Sequence, residues 1–293
     1  MASMRDIKRR KSSVESTQQI TKAMKLVSTV KLQRAKGRAE KSKSYFNAVY
    51  DTVTSILARS RSIEHPYLQS SGKGKKLVIL ITSNKGLAGG YNSNVIKLIS
   101  RNPEFTPDNT CIYAIGKKGK DGMLRDGFSI FKDYSEAIEE PAYQDGMMIT
   151  KELLTAYEQG EICEIWLAYT FFKNTVSHVP TLLKLLPVEM TDRESEEGEV
   201  EAKEEKTEAP MNFEPEDEEA LDLIIPKYIS SLIYGALISA QAAENGARMQ
   251  AMDNATNNAS EMIDHLSLLY NRARQGKITT ELTEIIAGAD AIS

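Results

Sequence analysis

The chain has 293 residues, 41% of them hydrophobic and 27% charged, with a formal net charge of −4. That length suits one large domain or two small ones. No unbroken apolar run reaches ~18 residues, which argues against a membrane-spanning helix. The N-terminus lacks a signal-peptide core, which suggests a cytoplasmic bacterial protein or an organelle protein already freed of its transit peptide.

Charge is unevenly spread. Residues 1–43 carry a net +10 and residues 189–219 a net −12. Such polarity points to charged partners at two different places and says little about fold.

Residues 3–60 read as one long helix. Ser3 with Asp6 three residues later makes a capping-box-like start. The apolar stripe runs Ile20, Met24, Val27 and Val30 or Lys31, weakens near Gly37, and resumes with Phe46, Val49, Val53, Ile56 and Leu57. Between Ile7 and Ile20 the helix is polar and basic. A protein contact there is a better reading than nucleic acid, because no aromatic interleaves the basic residues before Tyr45. Pro66 and the Ser/Gly/Lys run at 70–75 end the segment.

The middle changes character. Leu77–Thr82 is a continuous apolar, β-branched run, as expected of a strand buried on both faces. A Gly-rich turn, a helix over 92–100, a strand at Thr110–Ile115 and a short helix to Arg125 follow. Ser129–Asp133 is a further strand, Met147–Tyr157 a helix and Glu164–Phe172 a strong strand. Pro180 and Pro187 make 176–190 an edge ribbon. This alternation predicts a small α/β domain with a mostly parallel sheet. Cys111 and Cys163 both lie in apolar stretches and read as buried thiols.

Residues 191–219 are acidic and poor in apolar side chains, so the part up to about Pro210 is expected to be a flexible loop. From about Glu216 to the end the pattern is again one long helix. Ala236, Ala240, Ala243, Ala247, Ala251, Ala255 and Ala259 recur on one face, continued by Met262, Leu266, Leu269 and Ala273. At 1.5 Å per residue, ~70 residues span ~105 Å. Such a helix must pack on another long helix or on a partner. The two terminal helices are natural partners in an antiparallel coiled coil, with the α/β domain inserted between them. The expected bounds are 1–62, 75–190, 191–212 and 213–293 for helix, α/β domain, acidic loop and second helix.

The turn Ser83–Asn92 (SNKGLAGGYN) lies where phosphates bind in nucleotide folds, but its spacing fits neither known loop. Gly86, Gly89 and Gly90 do not make GxGxxG, and no Gly-Lys-Ser/Thr closes a Walker-type loop. A tight turn or a protein-contact loop carrying Lys85 is the better reading. A nucleotide-dependent enzyme built on the α/β domain is the alternative. His65, His178 and His265 have no metal-ligand spacing, and no cofactor is called for. Near the C-terminus, Asn271, Arg272, Arg274, Gln275 and Lys277 form a polar patch, followed by apolar Leu282, Ile285 and Ile286. A long helix tipped with exposed aliphatics needs a socket; a fraying terminus is the bland alternative.

Several blocks in order resemble one family. They are ASMRDIKRR and ITKAMKLVSTVKLQRA near the start and ITSNKGLAGGYN in the middle. SLIYGALISA, ARMQAMDNAT and YNRARQGKITTELTEIIAGA follow in the last third. Over essentially its whole length the chain resembles the gamma subunit of F-type ATP synthases. The resemblance implies a non-catalytic rotor whose coiled coil threads a ring of three alpha and three beta subunits. Its α/β domain would meet the epsilon subunit and the membrane c ring, at the cytoplasmic face of a bacterial plasma membrane, reaching the membrane only through the complex. Arg274, Gln275, Thr279 and Glu281 then match a polar contact with beta, braced by Met24, Lys25 and Arg248. Leu282, Ile285 and Ile286 match a tip held in an apolar sleeve. Lys85, Gly86, Leu87 and Ala88 match a loop near the acidic lever of beta, and Phe213, Glu214 and Pro215 a foot over the c ring. The chain departs from the family at Asn84-Lys85, where Asp-Arg is usual, and at Gly246 and Gly276, where Ala is common. The acidic loop is longer than usual, and the plastid redox insert with its cysteine pair is absent.

Overall fold

The computed structural model describes residues 3–59, 65–69, 72, 74–135, 140–188 and 217–290. Helix α1 (Met4–Arg59) starts as expected: the Asp6 amide donates to Ser3 Oγ at 3.3 Å, and the Ser3 hydroxyl donates to the Asp6 carboxylate at 3.0 Å. The last helix, α5, runs from Asp217 to Asp290 with Pro226 inside it.

Between them lies a three-layer α/β unit. Its strands are β1 (Lys75–Ile81), β2 (Thr110–Ile115), β3 (Ser129–Asp133), β4 (Ile162–Phe172) and β5 (His178–Leu186), in the spatial order β3-β2-β1-β4-β5. β1, β2, β3 and β4 are parallel; β5 returns antiparallel to β4 as the edge strand that carries Pro180. The intervening helices are α2 (Tyr91–Ser100), α3 (Lys117–Arg125) and α4 (Tyr143–Glu158).

Strand periodicity sorts the core into two faces. Val78, Leu80, Ile112 and Ala114 pack against Val95, Ile99 and Met123 of α2 and α3. Leu77, Ile79, Ile81, Tyr113 and Ile115 point the other way, onto Ile149 and Leu153 of α4 and onto Leu221, Ile225, Ile229, Ile233 and Leu237 of α5. The start of α5 is therefore a core helix of the α/β unit before it becomes part of the stalk. Within Leu221–Ala287 one window reaches a mean hydropathy of 1.5, enough by length and composition to cross a membrane. It is no unbroken apolar run, because Ser, Gly and Gln interrupt the segment. Of that window, 56% is buried inside the protein.

The two long helices run antiparallel. Gln18 meets Ser260, Thr21 meets Thr256, Lys25 meets Asp253, and Leu32 and Ala35 cluster with Ala242. The alanine stripe of α5 is buried at Ala236, Ala240, Ala243 and Ala259, and half-buried at Ala247, Ala251 and Ala255. It does not continue as expected: Met262 and Leu269 are exposed, and only Leu266 is buried.

On α1 the first half of the expected stripe is corrected; the side chains of Phe46, Val49, Val53, Ile56 and Leu57 lie outside the described residues. Ile20, Val27 and Val30 face outward, exposed by 58%, 57% and 50%. The inward face consists of Ile7, Thr21, Ser28, Leu32 and Ala35, with Met24 half-buried. Small and hydroxylic side chains let the helices approach closely and satisfy one another, so polar Thr21 and Ser28 are buried while Ile20 and Val27 are not. Cys163 is also corrected: it is half-buried, while Cys111 is buried, and neither is in a disulfide. The acidic loop, and Phe213, Glu214 and Pro215, lie outside the described residues.

Candidate functional site

The loop after β1 is built from the sheet outward. The Ser83 amide donates to Asn92 Oδ1 at 2.9 Å, and the Ser83 hydroxyl to the Lys85 carbonyl at 2.6 Å, so the ends of the turn are pinned. Asn84 Oδ1 accepts the Lys117 amide at 3.0 Å while its Nδ2 donates to the Ser135 carbonyl at 2.7 Å. That pair of roles needs a carboxamide, since a carboxylate cannot donate. It accounts for Asn84 in this chain.

The first amides of α3 are all engaged. Besides Lys117, Lys118 donates to the Ser83 carbonyl at 3.1 Å and Gly119 to Thr82 Oγ1 at 2.8 Å. Gly116 and Gly119 are needed for this closeness: a Cβ on them would lie 2.1 Å from the Thr82 carbonyl oxygen and 2.6 Å from its hydroxyl, respectively. This helix start has no donors left for a phosphate.

Lys85, Gly86 and Leu87 are exposed at the loop tip. Leu87 takes a left-handed backbone with φ of 64° and is 63% exposed, an uncommon combination for a branched apolar residue. Ala88, matched with them to the loop near the lever of beta, is buried against Tyr91 and Ala243 and anchors the loop. Arg248 braces the loop from α5. Its guanidinium donates to the carbonyls of Lys85 and Gly86 at 3.4 and 3.5 Å and pairs with Glu244 at 2.7 Å. Glu244 was not singled out from sequence; its spacing four residues before Arg248 on one helix was the available signal. Lys25 reaches Asp253 at 2.6 Å one turn further along α5. Met24, Lys25, Arg248 and the loop therefore share one region.

Arg274, Gln275, Thr279 and Glu281 do not join it. Arg274 lies about 39 Å along α5 from Arg248, so the residues expected to brace the polar patch lie far from it in the chain by itself. From Arg274 to Ala287 every side chain is exposed. Ile7, the first buried residue of α1, is near the end of the paired region, and α5 continues beyond it as a single helix for roughly 20 Å. Among the described residues, local contacts there stay within the helix: Thr279 Oγ1 donates to the Gln275 carbonyl at 3.0 Å, and Lys277 pairs with Glu281 at 3.5 Å. Leu282, Ile285 and Ile286 are 55%, 68% and 61% exposed. Ile20, Leu26, Val27 and Val30 of α1 are exposed as well, so aliphatic side chains stand open to solvent at two separate levels of the stalk.

The architecture is thus an antiparallel two-helix stalk with an α/β unit inserted between its two helices and an exposed tip on α5. A family model described as ATP synthase matches residues 3–292. The chain is 60% identical over 293 residues to the ATP synthase gamma chain of Lachnoclostridium phytofermentans, covering all of both chains. It is 38% identical to the gamma chain, sodium ion specific, of Acetobacterium woodii, covering 99% of each. Among solved structures, it is similar to a chain of the central stalk and c ring of the Tetrahymena thermophila mitochondrial ATP synthase. There the TM-score is 0.59 and the identity 25%, over 80% of this chain and 99% of that one. A chain of the Euglena gracilis mitochondrial enzyme shares the fold, with a TM-score of 0.56 at 18% identity, over 92% of this chain and 95% of that one. The chain belongs to the gamma-chain family of the F-type ATP synthases.

Proposed function

We propose that this chain is the rotor of a proton- or sodium-translocating ATP synthase, carrying no catalytic group of its own. It sits in a ring of three alpha and three beta subunits, with epsilon and the c ring at its base, at the cytoplasmic face of a bacterial plasma membrane. The observation that carries this reading is the single-helix tip of α5. A solvated polar patch followed by exposed Leu282, Ile285 and Ile286 is a poor end for an isolated helix and a good plug for an apolar sleeve. The stalk is asymmetric: the loop Lys85–Leu87 is held beside α5 by Arg248, while Ile20, Val27 and Val30 stand exposed on α1. An asymmetric shaft favours different conformations in three otherwise equal beta subunits by differential contact, which is what coupling requires. In this reading Met24, Lys25 and Arg248 set the loop toward the acidic lever of beta, and Arg274, Gln275, Thr279 and Glu281 form the upper polar contact. Phe213, Glu214 and Pro215 form the foot over the c ring.

The test is co-expression with the cognate alpha and beta subunits, followed by gel filtration and an ATPase assay. The proposal predicts one large complex whose sustained ATPase activity needs this chain. Full activity of alpha and beta without it would overturn the proposal.

A further inference from the structure

In open α/β sheets ligands usually bind in the crevice outside the carboxyl ends of the strands, at the point where the strand order reverses. Here the chain moves from β1 to β2 and β3 on one side of β1, then to β4 on the other, so the reversal falls between β1 and β4. The chain's own α5 occupies that crevice. Ala243 is buried against Ala88 and Tyr91 from the segment after β1. Gly246 lies so close to the β4–β5 hairpin that a Cβ on it would be 3.5 Å from the Phe172 ring.

β4 is shaped to meet the helix there. It has 11 residues against 7 in β1, and its pairing with β1 ends at Ala168. Residues 169–172 overhang, held on one edge by β5, where Phe172 pairs with His178. On the other edge the Phe172 amide lies beyond the end of β1 and donates instead to Ser239 Oγ of α5 at 2.9 Å. The ring then enters the seam of the stalk. It packs on the cluster formed by Leu32 and Ala35 of α1 with Ala242 of α5, and on the cluster of Ala88, Tyr91 and Ala243. The Lys36 ammonium of α1 lies 5.2 Å from the ring centroid. One residue at the end of the sheet therefore touches both long helices.

α5 is also fixed lower down, where Leu221 to Leu237 lie in the core of the α/β unit. α1 meets the unit elsewhere through Arg38 and Glu140 at 3.8 Å and through Tyr45, edge-on to Tyr143 at 6.0 Å. Each of these contacts holds one helix. We propose that Phe172 is the positioning residue through which the α/β unit holds the two helices as one shaft and passes torque between shaft and base. This rests on the rotor function proposed above. Without the ring, the helices are free to shear past each other at the level where they leave the unit.

The experiment has two arms. The first uses the full-length chain carrying Cys111→Ala and Cys163→Ser, with spin labels attached through Ser100→Cys on α2 and Asp264→Cys on α5, both exposed positions. Double electron–electron resonance reads the spread of distances between unit and shaft. Phe172→Ala should broaden that spread, and Phe172→Leu, which refills the seam, should return it most of the way to the wild-type width. Ser239→Ala removes only the hydroxyl that holds the same strand end and should broaden it less, which keeps the test decisive if Phe172→Ala does not fold. Ile112→Ala, a core loss in the opposite face of the sheet, should lower Tm without broadening. The second arm uses the assembled, membrane-bound enzyme. There Phe172→Leu should pump close to the wild-type number of ions per ATP hydrolysed, and Phe172→Ala and Ser239→Ala fewer, with ATP hydrolysis retained. An unchanged spread in Phe172→Ala or, where that chain does not fold, in Ser239→Ala would overturn the proposal, as would equal broadening in Ile112→Ala. So would a broadened spread with an unchanged pumping ratio. The first arm needs no other subunit, so its result stands apart from that of the rotor function.

Discussion

Gly246 presents a bare Cα to the His178 imidazole: a Cβ there would lie 2.5 Å from Nε2 and 3.5 Å from the Phe172 ring. Alanine is the better helix former by about 1 kcal/mol, so the glycine is a local sacrifice for a tertiary contact. Gly246→Ala should gain about 1 kcal/mol in a His178→Ala background and much less in the wild type. Urea denaturation of the four chains measures this. An equal gain in both backgrounds would show that the contact carries no energy.

The same histidine predicts a pH dependence. Its folded pKa lies below the ordinary value because burial penalises the charged form. The unfolded chain therefore binds the proton first, and stability falls as pH drops below about 6.5, until the folded pKa is reached. His178→Gln should flatten the stability profile below about pH 6.5 relative to wild type. Parallel slopes in the two chains would remove His178 from the account.

Asn84→Asp should be destabilising. The carboxylate keeps the Lys117 amide but turns an acceptor toward the Ser135 carbonyl, so a donor is lost at a part-buried site. The expected cost is about 1–3 kcal/mol, read from the shift in urea midpoint. A neutral result would mean that the loop rearranges around the change.

Cys111 should resist alkylation in the folded chain. Burial pushes its thiol up to about 11, so little thiolate forms at neutral pH. Cys163, half-buried and raised less, should react first, as mass spectrometry of iodoacetamide-treated protein would show. Labelling of Cys111 at the same rate would mean that the sheet opens readily.

The Lys25–Asp253 pair should matter for alignment more than for stability. Its side chains are 39% and 44% exposed, which places the pair in the range of about 0–1 kcal/mol. A double-mutant cycle with alanine at both positions tests this. Coupling well above 1 kcal/mol would show a bridge that water screens poorly instead.

Strand and helix assignments were legible because the local signals agree with the tertiary environment. Thr110–Ile115 and Ser129–Asp133 are strands over the bounds their composition suggests, and Pro180 marked the edge strand. The antiparallel stalk was legible from two long helices at opposite ends of one chain. The facing of α1 was not. Ile20, Val27 and Val30 formed the best apolar stripe, yet Thr21 and Ser28 face α5. Hydropathy tells which side chains avoid water but not whether they avoid it within this chain or against another one. The site shows the same limit. Lys85 and Arg248 were legible as charges on a loop and a helix, whereas Glu244 as the partner of Arg248 needed the geometry. The seat of Phe172 at the seam of the stalk could not be read at all, because contacts between distant segments are a property of the fold.

In the proposed function the chain turns inside a ring of alpha and beta subunits and is driven by them. The most direct measurement fixes that ring to a surface, attaches a bead to the α/β domain and records the bead during ATP hydrolysis. The account predicts one-directional rotation in three equal steps per turn, with torque reduced when Leu282, Ile285 and Ile286 are all changed to Ser. Sustained ATP hydrolysis with a stationary bead on an intact complex would contradict it.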